Sequence, residues 1–313
     1  MQSTNLVLGI DGGGTKTLAW LAAKEAGTTP VGIGLGGPGN FQAVGIETAL
    51  ANLDAAVEAA FADASIQRSP VAAAVLGLAG SDREENRRIL DEWAATRQLA
   101  CKFRVVNDAL PIIAAGSPDG WGVGLISGTG SFCFGQAPDG RSARSGGWGY
   151  LFGDEGSGYS LTVAGLRAAA QAADGRGPQT QILDRFLPAL EIETPAEMVK
   201  AVYAFADDRG RVASLSKVVT EAAAAGDEVA NRIVDNAAEQ LALMVQAVAR
   251  TVDLSAAMFP LALTGGVFCA TPTLRSDLAK HLLQLGLAAN PITIVEQPVS
   301  GAVKLAQIES ATQ

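Results

Sequence analysis

Apolar residues in the first part of this chain come in short runs, and the runs end in glycine. Leu6-Val-Leu with Ile10 predicts a buried strand. Gly12-Gly-Gly-Thr-Lys-Thr17 interrupts it, and Leu18-Ala-Trp-Leu-Ala-Ala predicts a second strand. Val31 to Gly34 predicts a third. Ile46, Leu50, Leu53, Val57 and Phe61 then recur at helical spacing, which predicts an amphipathic helix over 44–64. Val71–Leu78 reads as a buried strand, 84–98 as a polar helix, and Phe103–Val106 as a strand ending in Asn107-Asp108. The order is strand, strand, strand, helix, strand, helix, strand. Sheets of this kind bind ligands beyond the carboxyl ends of their strands, where the loops Gly36–Asn40, Gly80–Asp82 and Asn107–Asp108 lie.

After the turn Ser117-Pro-Asp-Gly the pattern starts again. Trp121–Ser127 and Ser131–Gly135 predict two strands joined by Gly128-Thr129-Gly130, and Ser142–Ser145 a third short strand. The second half thus repeats the layout of the first, and such duplication predicts two similar domains facing each other. Helices are predicted from Tyr159 to Ala173 and through most of 174–228, a stretch in which no chemistry is legible. Val229, Ile233, Ala237, Leu241, Val245 and Val248 mark a long buried helix. Leu261–Thr264 and Ile292–Glu296 are further strands, and a C-terminal helix begins at Pro298.

Composition narrows the function. The net charge is -9 with no Lys/Arg cluster, which argues against nucleic acid as a partner. No apolar run approaches the roughly 18 residues of a membrane span. Cys101, Cys133 and Cys269 lie far apart, which disfavours a zinc or iron–sulfur site and suits a reducing cytosol. A cytoplasmic protein is expected. The single histidine, His281, is expected on a surface helix, so an enzyme of this composition would use a carboxylate as its base.

Five stretches could carry that chemistry. Gly12, Gly13 and Gly14 strip the first turn of side chains, so backbone N–H groups can approach an anion, with Thr15, Lys16 and Thr17 directly after them. The spacing from Gly9 to Gly14 is that of a P-loop, but Thr15 stands where its lysine belongs and a strand follows. In the Gly36–Asn40 loop, Asn40 offers a donor and an acceptor, although turn chemistry alone explains the residues equally well. Asp108 is the best base of the first half, with a helix N-cap as its alternative role. Gly146–Tyr159 packs six glycines, aromatic residues and the acids Asp154 and Glu155 into one segment, which suggests a shaped polyol pocket. Gly265-Gly266 after a strand could seat a flat ring or simply allow close packing.

The order of Asp11-Gly-Gly-Gly-Thr-Lys-Thr17, Asn107-Asp-Ala, Ile126-Ser-Gly-Thr-Gly-Ser131, Gly146-Gly-Trp-Gly through Gly153-Asp-Glu-Gly-Ser157 and Leu263-Thr-Gly-Gly-Val267 resembles the BadF/BadG/BcrA/BcrD-type ATPase family. Within it the chain looks most like N-acetylglucosamine and glucosamine kinases. The resemblance implies an α/β fold of two similar actin-like (ribonuclease H-like) domains, each a mixed five-stranded sheet flanked by helices, with a cleft between them. The expected domains are 1–115 and 116–299, with a C-terminal helix of about 300–313 packing back on the first. The resemblance implies that Gly12–Thr17 is the first phosphate loop, Gly128, Thr129, Gly130 and Ser131 the second, and Gly265 and Gly266 the adenosine motif. Asp11 would hold Mg2+, usually through water, and Asp108 would take the proton from the sugar. Asn40, Gly147, Trp148 and Asp154, with Asp108, would hold the hexose. The reaction implied is phosphorylation of an amino sugar at its 6-hydroxyl by MgATP, in a possible homodimer. Two rival readings are a dehydratase-activating ATPase, which the scattered cysteines disfavour, and a non-catalytic sugar sensor of the same fold.

Overall fold

A computed structural model describes residues 5–25, 27–78, 81 and 83–312 of the chain. Of the expected ligand loop Gly80–Asp82, only Ser81 lies among them. The chain divides into two compact units, one reaching Trp121 and resuming at Gln297, the other spanning Gly122–Glu296.

The first unit begins with β1 (Leu6–Gly12), β2 (Thr17–Ala23), β3 (Pro30–Gly36), α1 (Phe41–Val44) and α2 (Ile46–Asp63). It continues with β4 (Val71–Leu78), α3 (Glu84–Thr96), β5 (Ala100–Val106) and α4 (Ala109–Gly116). The second holds β6 (Gly122–Ser127), β7 (Ser131–Gln136), β8 (Ser142–Gly146), α5 (Gly158–Ala173), α6 (Gln181–Ala189), α7 (Met198–Tyr203) and α8 (Arg209–Ser214). After these come α9 (Ser216–Ala224), α10 (Glu228–Thr251), β9 (Met258–Thr264), α11 (Gly266–Ala270), α12 (Pro272–Gln284) and β10 (Ala288–Ile294). The last helix, α13 (Val299–Ala311), belongs to the first unit again.

The two units carry the same sheet. In the first the strand order is β3-β2-β1-β4-β5, and in the second β10-β9-β6-β7-β8, which is the same order read from the other edge. In each, the opening three strands are antiparallel and the later two run parallel to the first. β1 sits at the centre because it is apolar on both faces, as a strand covered on both sides must be. Leu6, Leu8 and Ile10 face a core shared with Leu53, Val57 and Phe61 of α2. On the opposite face Gly9 lets α13 lie against the strand, since a Cβ there would stand 2.5 Å from the Val303 nitrogen.

Backbone contact recurs at the edge of this sheet. Gly32, Gly34 and Gly36 alternate along β3 on the side facing α2, and any Cβ there would collide with the carbonyls of Ala60, Ala56 and Asn52. In the second unit α10 crosses β6, β7 and β8 with Leu241, Val245 and Val248 buried. The final strand lies several residues earlier than the apolar run Ile292–Glu296 predicts. β10 is an edge strand with a bulge between Ala289 and Ile292 and no fully buried residue, so it carries little apolar signal. Among the described residues no helix is long and apolar enough to cross a membrane.

Candidate active site

The β1–β2 hairpin carries the first glycine turn, closed by the Gly13 N–H donating to the Lys16 carbonyl at 2.9 Å. None of its three glycines has a left-handed backbone. A Cβ on Gly12 would press on the Leu78 side chain at 2.6 Å, whereas a Cβ on Gly14 would meet nothing within 4 Å. Gly14, Thr15 and Lys16 are exposed, so this face offers backbone, one hydroxyl and one ammonium to an anion. Thr17 is not part of that face. It is buried, and its hydroxyl donates to the Gly37 carbonyl at 2.8 Å. The Gly36–Asn40 loop therefore lies directly on the turn, with the Gly39 N–H bonded to the Gly13 carbonyl at 3.1 Å. At its end the Asn40 side-chain oxygen caps α1 through the Gln42 N–H at 2.8 Å, which leaves its amide N–H2 group for other partners.

Two carboxylates stand at the carboxyl edge of the same sheet. Asp11 follows the buried part of β1. Asp108 follows β5, and the parallel pairing of β1, β4 and β5 brings both to one edge. Asp11 keeps part of its surface accessible, yet it is surrounded by enough protein that loss of hydration pushes its carboxyl up to about 7. The charge of Asp108 raises it further and that of Lys16 opposes the rise. Asp108 occupies the cap position of α4 but makes no capping hydrogen bond. Asn107 supplies the cap, its side-chain oxygen accepting from the N–H groups of Ala109 at 3.1 Å and Leu110 at 2.9 Å.

In the second unit the β6–β7 turn is braced from behind by the segment before α5. Ser127 and Ser131 donate through their hydroxyls to the carbonyls of Gly156 and Glu155, each at 2.7 Å. The Ser131 N–H donates to Asp154 Oδ1 at 3.2 Å, and the Gly158 N–H donates to the Gly128 carbonyl at 2.8 Å. Thr129 is left exposed at the tip. A Cβ on Gly130 would lie 3.0 Å from both Asp154 oxygens, so glycine there admits the carboxylate. Asp154 is buried in a left-handed backbone conformation with φ of 60°. Burial raises its pKa, the Ser131 N–H and the charge of Arg209 lower it, and Glu155 raises it. Gly265 has φ of 107° and its missing Cβ leaves room for the Ser127 carbonyl, which is close packing. Gly266, next to it, faces open space.

Asp154 thus belongs to the second glycine turn. Gly147 has φ of 71° and packs on Phe132, while Trp148 is 62% exposed with Arg144 stacked 5.6 Å over its ring. Tyr150 packs edge-on against Tyr159 and carries Arg209 at 5.4 Å. Arg209 comes from the stretch 174–228, so that stretch is not devoid of chemistry. Its bearing on Asp154 depends on how α8 folds back, and nothing in its local sequence announces it. Among the described residues no three His, Cys, Asp or Glu side chains are grouped to hold a metal ion.

Two mixed five-stranded sheets with these turns are the fold of actin-like sugar kinases. The ROK hexokinase of Thermus thermophilus shares it at a TM-score of 0.57 and 19% identity over 97% of this chain and 98% of that one. A Chromobacterium violaceum structure, a candidate N-acetylglucosamine kinase, matches at a TM-score of 0.75 and 26% identity over 97% of this chain and 99% of that one. An N-acetylmuramic acid/N-acetylglucosamine kinase of Clostridium acetobutylicum is 32% identical over 303 residues, covering 97% of this chain and 98% of that protein. The N-acetyl-D-glucosamine kinase of Dictyostelium discoideum is 30% identical over 323 residues, with coverage of 97% and 98%. The model of one family matches residues 8–306, nearly the whole chain and both glycine turns. The chain belongs to the BadF/BadG/BcrA/BcrD ATPase family.

Proposed function

We propose that this chain is an ATP-dependent amino-sugar kinase that phosphorylates the 6-hydroxyl of N-acetylglucosamine or glucosamine. The sugar class is supported by the two curated relatives, whose names give N-acetylglucosamine as a shared substrate. The observation that carries the chemistry is the start of α4, where Asn107 caps the helix and Asp108 makes no capping bond. A carboxylate held at a fixed helix start, next to a second acid and beyond a strand end, suits a general base.

In this reading Asp108 accepts the proton of the sugar 6-hydroxyl. The hydroxyl oxygen forms its bond to the γ-phosphorus of ATP as the bond from that phosphorus to the ADP oxygen breaks. Gly12, Gly13 and Gly14 present backbone to the phosphates, and Thr15 and Lys16 add a hydroxyl and a charge. Thr17 holds the turn's shape through Gly37. Gly128, Thr129, Gly130 and Ser131 form the second phosphate cradle, and Gly266 leaves an open backbone surface for the adenosine beside Gly265. Asn40, Gly147, Trp148 and Asp154 hold the hexose, Asn40 through its amide N–H2 and Trp148 through its exposed ring.

Asp11 would hold Mg2+. The residues fit a divalent cation, because Asp11 and Asp108 repel each other and the charge of Lys16 does not cancel the rise in the Asp11 pKa. The ion supplies neutralisation of phosphate charge when bound. The test is ADP release in a coupled assay with MgATP and N-acetylglucosamine, glucosamine, N-acetylmannosamine, N-acetylmuramic acid or glucose. Turnover with either of the first two, with phosphorus attached at O6 by NMR, is the expected result. ADP release with none of the five would overturn the reading.

A further inference from the structure

In the second unit α5 and α10 lie antiparallel. Gly156, just before α5, packs on Ala237 and Leu241 of α10, while the N–H of Gln181, beyond α5, donates to Asp227 at the start of α10 at 2.8 Å. Between the helices is a cavity of about 440 Å3. Ser160, Ala164, Arg167 and Gln171 line it from α5 at helical spacing, and Arg232 and Asn236 from α10. Arg167 lines the cavity from one helix and Arg232 from the other.

Neither guanidinium makes a hydrogen bond or ion pair among the described residues. Three acids nearby in sequence are engaged elsewhere, and Glu228, one helical turn before Arg232, makes no ion pair with it among the described residues. Asp227 accepts from Thr180, Gln181 and Ala230, Asp235 pairs with His281, and Asp174 pairs with Arg176. In a chain of net charge -9, two exposed guanidiniums that line one groove from different helices without an ion pair among the described residues mark a place for an anion. Two planar forks from two helices suit a dianion with several equivalent oxygens better than a single carboxylate. The inner end is different. Glu155 lines it, with the amides of Asn236 and Gln240 between, so the rest of the ligand is hydroxylated.

We propose that this groove binds a small phosphomonoester of a polyol, with its phosphate between Arg167 and Arg232 and its hydroxyls toward Glu155. Occupancy reaches the second glycine turn, because the carbonyls of Glu155 and Gly156 at the groove's inner end hold the hydroxyls of Ser131 and Ser127. The site is separate from both glycine turns, and its test needs no turnover, so it stands or falls independently of the kinase reading.

The experiment is calorimetric titration of the full chain with glucose 6-phosphate, and with inorganic phosphate as the phosphate alone. Arg167→Ala and Arg232→Ala should each weaken glucose 6-phosphate binding by about tenfold, and the double variant more. Ala168→Trp fills the groove while keeping both charges, and it should abolish binding too. Arg167→Gln and Arg232→Gln replace any alanine variant that fails to fold. Slower amide exchange at Gly128 and Ser131 on adding glucose 6-phosphate is expected if the groove is coupled to the turn. Wild-type affinity in the arginine variants or in Ala168→Trp would overturn the site, as would absence of binding to the wild type. Binding with unaltered exchange would overturn the coupling.

Discussion

The side-chain oxygen of Asn107 accepts the Leu110 N–H at 2.9 Å, and by doing so it relieves Asp108 of the capping role its position would suggest. The two residues can therefore be separated by mutation. Asp108→Asn should lower kcat by about 10²–10⁴-fold while the affinity for ATP, read by calorimetry, stays within a factor of a few. Asn107→Ala should act through stability, lowering it by about 1 kcal/mol from the lost cap. Equal loss of ATP binding and turnover in Asp108→Asn would remove Asp108 from the role of base.

Asp11 ties stability to pH. Its folded pKa of about 7 lies above the ordinary carboxyl value of 3.8, so between these the folded protein keeps a proton that the unfolded chain has released. Stability therefore falls as pH rises through that window, and the cost is complete above it. In metal-free protein, Asp11→Asn should be the more stable form near pH 8, by on the order of 2–4 kcal/mol, and the difference should vanish near pH 4. Thermal melts across this range check it. Added Mg2+ should raise the melting temperature of the wild type and not of the variant.

Glycines that look alike in sequence should respond differently to alanine. Gly14→Ala adds a methyl group to open space, so the melting temperature should not move, while ATP affinity should fall if phosphate sits there. Gly265→Ala drives a methyl group into the Ser127 carbonyl at φ of 107°, so it should lower stability by about 2 kcal/mol or more. A Gly14→Ala protein with unchanged ATP affinity would remove that face from the nucleotide site.

Arg209 lowers the pKa that burial raises at Asp154. Removing it in Arg209→Ala should move the Asp154 titration to higher pH, seen as an alkaline shift of the acid limb in kcat/KM for the sugar. An unmoved profile would separate Arg209 from the site.

The strand–glycine turn–strand units, the helices α2, α5 and α10 and the duplication are legible in the sequence, because each rests on local periodicity or on glycine between apolar runs. The reasons for particular glycines are not. Gly12 and Gly265 answer to Leu78 and Ser127, residues distant in the chain, and only the folded structure brings them near. Thr17 illustrates the same limit. Its place in Thr15-Lys-Thr suggested a phosphate hydroxyl, but strand alternation turns it inward to Gly37. Arg209 and the groove between α5 and α10 depend on how helices pack across 174–228, for which local pattern carries no signal.

The return of α13 to β1 bears on how the protein is made. β1 is synthesised before the second unit, and the helix that covers Gly9 through Val303 after it. The second unit is one continuous stretch, Gly122–Glu296, and all of it is synthesised in between. A nascent chain can therefore close its second unit while one face of its first sheet still waits for its cover. The order of completion is then the reverse of the order of synthesis.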